Sequence, residues 1–150
     1  MKIRHTIGLA MATLAIFACK PASNVAEVAA QQMLADARQQ LSEKNYDSAR
    51  ATILDLRKQH PTALQTRRAA ILTLDSVELL ATRDSVAHYE QMLDAARADF
   101  KQMLPRENGQ TNQAYYAQQR TVMEMERHFD ELCAKVKFYL RKIDIDKQDL

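Results

Sequence analysis

The chain has 150 residues, 47% of them hydrophobic and 27% charged, with a formal net charge of +2. That length supports one modest domain, and in so balanced a charge nothing points to nucleic acid as a partner. Glycine and proline occur only at Gly8, Pro21, Pro61, Pro105 and Gly109, too few for the turns of an all-β fold, so the chain reads as all-α with long helices.

The first 18 residues read as an export signal. Lys2, Arg4 and His5 give a basic start, and Thr6 to Ala18 is uncharged and mostly apolar. Such a run is too short to cross a hydrocarbon core of ~30 Å but has the length of a signal-peptide core. Ile16-Phe17-Ala18-Cys19 closes it. This segment resembles the lipobox of bacterial lipoproteins: an aliphatic residue, a tolerant position, a small residue and a cysteine. The resemblance implies diacylglycerol on the Cys19 thiol, cleavage before that residue and acylation of the new amine. It also implies a membrane partner through the N-terminal lipid. Lys20 stands where an aspartate favours inner-membrane retention in lipoprotein sorting. No acidic run follows Cys19 as a surface-display tag. The expected location is the bacterial envelope, on the periplasmic face of the outer membrane.

Removing Lys2 and Arg4 from the 21 basic side chains leaves 19, equal to the acidic count. With Cys19 lipidated, Cys133 is the one remaining thiol, so no internal disulfide forms. Residues 19–23 form a short lipidated tether, and 24–150 a single helical domain.

The first helix is expected from about Asn24 to Ser42. Ser23 or Asn24 caps it, and Glu27 stands at capping-box spacing from Asn24. A turn at Glu43-Lys44-Asn45 leads to a second helix over Tyr46–Gln59, with Ala49, Ile53 and Leu56 at helical spacing. His60-Pro61 ends it, because the residue before proline is pushed out of helical geometry. Ala37, Tyr46, Ala49 and Pro61 fall in the phase of a tetratricopeptide (TPR) motif, and 24–60 resembles one such hairpin. Lys44 occupies the place of its turn glycine, and the next 34 residues do not repeat the pattern. A single unit cannot bury its own apolar face, so it has to lean on the rest of the chain.

The rest, 62–146, reads as a long helical hairpin. Leu72, Leu79, Val86, Leu93 and Phe100 recur every seven residues, as do Tyr115, Val122, Phe129, Val136 and Ile143. Folded about the loop Pro105–Thr111, the ladders pair 72 with 143, 79 with 136, 86 with 129, 93 with 122 and 100 with 115. Each pair is equidistant from the Glu107–Asn108 bond, as an antiparallel coiled coil requires. Met125, Leu132 and Tyr139 fill the seam between layers. Asp75 and Thr82 are poor seam residues, and Asp75 is expected to face outward or find a partner. Extra apolar residues, among them Ile71, Leu74, Leu80, Phe138 and Leu140, predict a broad surface that the first two helices cover. The expectation is a TPR-like hairpin packed on the coiled-coil hairpin: a four-helix base carrying a two-helix stalk over about 88–128, with the loop far from the lipid.

No catalytic constellation stands out, and the chain is read as a non-enzyme without cofactor. His88 and His128 sit at nearly matched levels, but His88 falls on the outer face and neither has a third ligand at metal spacing. Glu124, Glu126, Asp130 and Glu131 read as a solvated acidic face, and Cys133 as a half-buried small residue. The candidate partner surface is Met103, Asn108, Gly109 and Met123. Arg67, Arg68, Arg141 and Lys142 form a candidate membrane-facing basic cluster. The expected role is a lipid-anchored, non-catalytic interaction or scaffold module for another envelope protein. Self-assembly through the seam is the alternative. The TPR-like hairpin, the Arg67-Arg68 to Asp84 stretch and Phe138-Tyr139-Leu140-Arg141-Lys142 together resemble small helical lipoproteins of Bacteroidota, a resemblance that implies no activity.

Overall fold

The protein was analysed as a computed structural model, which describes residues 22–103 and 113–148, with side chains from Val25 onward. The described residues form four α-helices in an up-and-down order: α1 (Ala22–Ser42), α2 (Tyr46–Gln59), α3 (Leu64–Gln102) and α4 (Gln113–Gln148). No strand occurs among them, and the protein is all-α. No described helix is long and apolar enough to cross a membrane.

The turn after α1 falls at Glu43–Asn45 as the sequence predicts. The Lys44 N–H donates to the Leu41 carbonyl and the Asn45 N–H to the Gln40 carbonyl, the two bonds of a Schellman cap. Lys44 holds the left-handed conformation at φ 60°, where a glycine costs nothing and a residue with a Cβ costs about 1 kcal/mol or more. Its side chain is put to use, reaching Asp84 on α3 at 3.0 Å.

The start of α1 differs from expectation. The chain is already helical at Ala22, so Ser23 and Asn24 lie inside α1 and not ahead of its first turn. Glu27 caps a different helix. Its carboxylate accepts from the Thr66 N–H at 2.8 Å and from the Thr66 hydroxyl at 2.6 Å. Thr66 sits in the first turn of α3, where backbone N–H groups lack helical partners and a negative charge is favoured. The N-cap residue of α3, Ala63, has no side chain to do this.

One core fills the space between α1, α2 and the first half of α3. It contains Ala30, Leu34 and Ala37 from α1, Ala49, Ile53 and Leu56 from α2, then Ala63, Ala70 and Val77. Ala37, Ala49, Ile53 and Leu56 are all fully buried. Polar straps close its edges. Arg50 forks onto Glu78 through Nε and Nη2, at 2.6 and 3.2 Å, and the Tyr46 hydroxyl donates to Asp84 at 2.7 Å.

Helix α4 takes no part in that core. It packs on α3 alone and makes no backbone approach to α1 or α2, so the expected four-helix base is a three-helix base. The phase of α3 gives the reason. Ala70, Thr73 and Val77, which face α1 and α2, each precede a seam residue (Leu72, Asp75, Leu79) by two positions. Two residues turn a helix by about 200°, so the two packing faces of α3 lie on opposite sides. The hairpin α1–α2 takes one side and α4 the other. Phe138 and Leu140, expected under α1 and α2, are therefore 60 and 48% exposed.

Beyond His88, α4 is the only described helix beside α3. That two-helix segment continues for roughly 20 Å to Gln102, matching the expected stalk.

Candidate interaction face along α3 and α4

The seam follows the heptad ladders. Leu93 and Val122, paired in the sequence reading, are the buried residues of the two-helix segment. Phe100 and Tyr115, the outermost pair, stack with centroids 5.1 Å apart. The remaining ladder residues are half-buried, as expected where two helices bury only one side of each other.

Two flanks border this seam. On one, Tyr89 meets His128 edge-on at 4.8 Å, and Asp75, Lys142 and Asp146 form an ion triad. Asp75 is buried and paired, the second of the two outcomes expected for it. It accepts from Lys142 Nζ at 2.6 Å, and the same ammonium donates to Asp146 at 2.6 Å. Burial, together with the neighbouring Asp146, pushes the Asp75 carboxyl above the usual carboxylate range against the pull of Lys142. Asp146, more open and bonded first to Lys142 and then to Asp75, is held below that range. For Lys142, burial works against the charge, but the bonds to Asp146 and Asp75 outweigh it and raise its pKa. A carboxylate at a seam position fixes which residue of α4 lies opposite, the usual role of a lone polar group in a coiled coil.

On the other flank, Arg97 reaches Glu126 at 2.8 Å. Next to this bridge, toward the base, a groove of about 330 Å³ opens between the helices. Val86, Ala87, Cys133 and Val136 make its apolar floor, and Arg83, Glu90 and Lys137 its walls. Cys133 is a half-buried free thiol, as expected.

A second, polar cleft of about 420 Å³ lies between the α1–α2 turn and α3, lined by residues that include Lys44, Tyr46, Arg50, Asp84 and His88. The sequence reading did not find it, because its two sides come together only when α2 docks on α3. Within it the Tyr46 hydroxyl bond to Asp84, and secondarily burial, raise the phenol pKa. Tyr46 and then Lys44 hold the Asp84 carboxyl low. These groups satisfy one another, so the cleft is a strap between helices.

The residues singled out from the sequence are dispersed. Cys19, Asn108 and Gly109 lie outside the described residues. Met103 and Met123 are 46 and 61% exposed but on opposite flanks. Met103 is about 40° round α3 from Tyr89, and Met123 about 60° round α4 from Glu126. Arg67, Arg68, Arg141 and Lys142 lie toward the same end of the hairpin. Arg68 and Arg141 are exposed, Arg67 turns back to donate to the Pro61 carbonyl at 2.8 Å, and Lys142 is engaged in the triad. In the acidic face, Glu126 serves Arg97, while Glu131 serves Arg127 at 2.6 Å and faces His128 at 3.6 Å. His88 is exposed on the polar cleft, well apart from His128 on the seam flank. Among the described residues, no group of three or more His, Cys, Asp or Glu side chains is placed to hold a metal ion.

Comparison with protein-family models, with curated proteins and with solved structures gave no match.

Proposed function

We propose that this chain is a lipid-anchored protein of the bacterial envelope that acts by holding another protein chain and not by catalysis. The observation that carries the interaction role is the groove along α3 and α4. It is an apolar strip walled by charges, on a flank that none of the described helices covers. An uncovered strip of this kind on a long helical pair is a setting in which a further helix or helix pair docks. The TPR-like phase of Ala37, Tyr46, Ala49 and Pro61 supports the same reading, since such hairpins serve as binding scaffolds.

The anchor rests on the lipobox-like Ile16–Cys19. Cys19 precedes Ala22 by three residues, a reach of about 10 Å, so α1 would begin close to the bilayer. The periplasmic face of the outer membrane is the proposed location, following from Lys20 and from the lack of an acidic run after Cys19.

Two measurements test the proposal. Mass spectrometry of the mature N-terminus is expected to show a diacylglyceryl cysteine at position 19; an unmodified Cys19 removes the anchor. A photoreactive side chain placed at Ala87 is expected to crosslink in intact cells to one defined protein chain, and Val136→Asp is expected to remove that product. A groove that crosslinks to nothing removes the interaction role.

A further inference from the structure

The walls of the groove carry an ordered pattern of charge. Arg83 and Glu90 are seven residues apart on α3, so they share one face. Asp130 and Lys137 are seven apart on α4 and share one face there. Arg83, Glu90 and Lys137 line the groove, and Asp130 lies two turns along α4 from Lys137 on the same side. The helices run antiparallel, so both positive charges stand toward the base and both negative charges toward the tip. All four side chains are exposed. Among the described residues, none of the four takes part in an ion pair or a side-chain hydrogen bond, and Arg83 has only a longer-range attraction to the adjacent Asp84. Other exposed charges on this pair do find partners, as Arg97 does in Glu126 and Arg127 in Glu131.

A strip with a positive half and a negative half is complementary to its own reverse. We infer that the occupant of the groove is a second copy of this chain, packed flank to flank and antiparallel about a two-fold axis that crosses the groove near Ala87 and Cys133. Arg83 and Lys137 of one copy then face Glu90 and Asp130 of the other, and the reciprocal contacts repeat on the far side of the axis. The parallel alternative sets like charge against like and is disfavoured. Ala87 and Cys133, both small, stand between the charged pairs and permit the helices to approach. The result is a four-helix bundle whose floor is Val86, Ala87, Cys133 and Val136 from each copy. The two α1 starts then lie about 75 Å apart along the bundle, so a lipid on each lays the pair along a bilayer.

This inference rests on the proposal that α3 and α4 carry the interaction surface, and it is independent of the anchor. The test uses the full chain purified in mild detergent, with sedimentation and a short bismaleimide as readouts. The native chain is expected to sediment as a dimer and to crosslink through Cys133, with Cys133→Ser abolishing the product. Arg83→Glu with Lys137→Glu is expected to weaken the dimer at least tenfold. Adding Glu90→Lys and Asp130→Lys, which restores the pattern in reverse, is expected to recover it. Circular dichroism identical to the native chain certifies each variant as folded. A monomer at several hundred micromolar, a dimer indifferent to the charge reversal, or one that the four-fold swap does not rescue overturns the inference. A monomer whose groove still crosslinks in cells to another protein defeats this inference and leaves the interaction role standing. A dimer lacking the lipid defeats only the anchor.

Discussion

Lys142 reaches across from α4 to the buried carboxylate of Asp75 on α3 at 2.6 Å, although 67 positions separate them in the chain. This bridge joins the hairpin at its base as the Phe100–Tyr115 stack joins it toward the tip. Lys142→Ala removes the cation and leaves Asp75 buried beside Asp146. The expected cost is about 2 kcal/mol, below the ~3–5 of an enclosed pair because Lys142 is partly open to water. Asp75→Leu, which completes the apolar seam, is expected to be neutral or stabilising. Urea midpoints for the two variants check the contrast; equal losses would contradict it.

Lys44 offers a sharper case. Its left-handed backbone at φ 60° is held by the Schellman bonds and by the bridge to Asp84. That bridge is largely exposed and contributes little, whereas relief of the backbone strain is worth about 1 kcal/mol or more. Lys44→Gly is therefore expected to raise stability by roughly 0.5–1 kcal/mol. Lys44→Val, with a branched Cβ, is expected to lower it. Thermal unfolding of the pair separates backbone strain from the ion pair.

Glu27→Ala strips the cap from α3. The Thr66 N–H and hydroxyl both lose their acceptor in a buried position, at an expected cost of about 1–2 kcal/mol. Glu27→Gln keeps an acceptor oxygen and should recover part of it. Hydrogen exchange at the first turn of α3 is expected to rise in the alanine variant before any other segment changes.

The alkaline side of the stability profile has a definite sign. Tyr46 and Lys142 both have folded pKa values raised above their ordinary ones, by the bonds they donate to Asp84 and, against burial, to Asp146 and Asp75 respectively. Each contribution is complete below the unfolded pKa, near 10, and is lost as pH rises through the folded value. The urea midpoint should therefore fall above about pH 10, and fall less steeply in Tyr46→Phe. On the acid side, Asp84 and Asp146 are held low, so their contributions fade as pH drops below the usual carboxylate range. Asp75, held high, works in the opposite direction there. A midpoint that rises between pH 9 and 11 would reverse the assignment.

The helices, the turn at Glu43–Asn45 and the pairing of the heptad ladders were legible because each is local or strictly periodic. Leu93 and Val122 could be matched by counting outward from one loop. The placement of α4 was legible too, in the two-residue offset between Ala70 and Leu72 or Val77 and Leu79. The apolar residues of α3 suggest one broad face in the sequence, whereas they form two opposed ones. Glu27 misled for a different reason: capping-box spacing is a local pattern, and its carboxylate serves a helix 39 residues away. Asp75 could not be placed without Lys142, and the groove could not be seen until α3 and α4 were side by side. The charge pattern on its walls, with Arg83 and Glu90, Asp130 and Lys137 at heptad spacing, was present in the sequence but had no meaning before the register was known.

Among the four described helices, α3 is the one that touches all the others, on two sides that do not meet. Most proteins with two cores divide them along the chain, at a linker. Here the boundary runs lengthwise down a single rod, and the rod belongs to both halves. Leu93→Ala, expected to cost about 2–3 kcal/mol, should therefore loosen α4 while Ile53 and Leu56 keep their surroundings. A pull applied at the front of α1 and resisted by whatever grips α4 would pass through the backbone of α3 alone, with no second route to share the load.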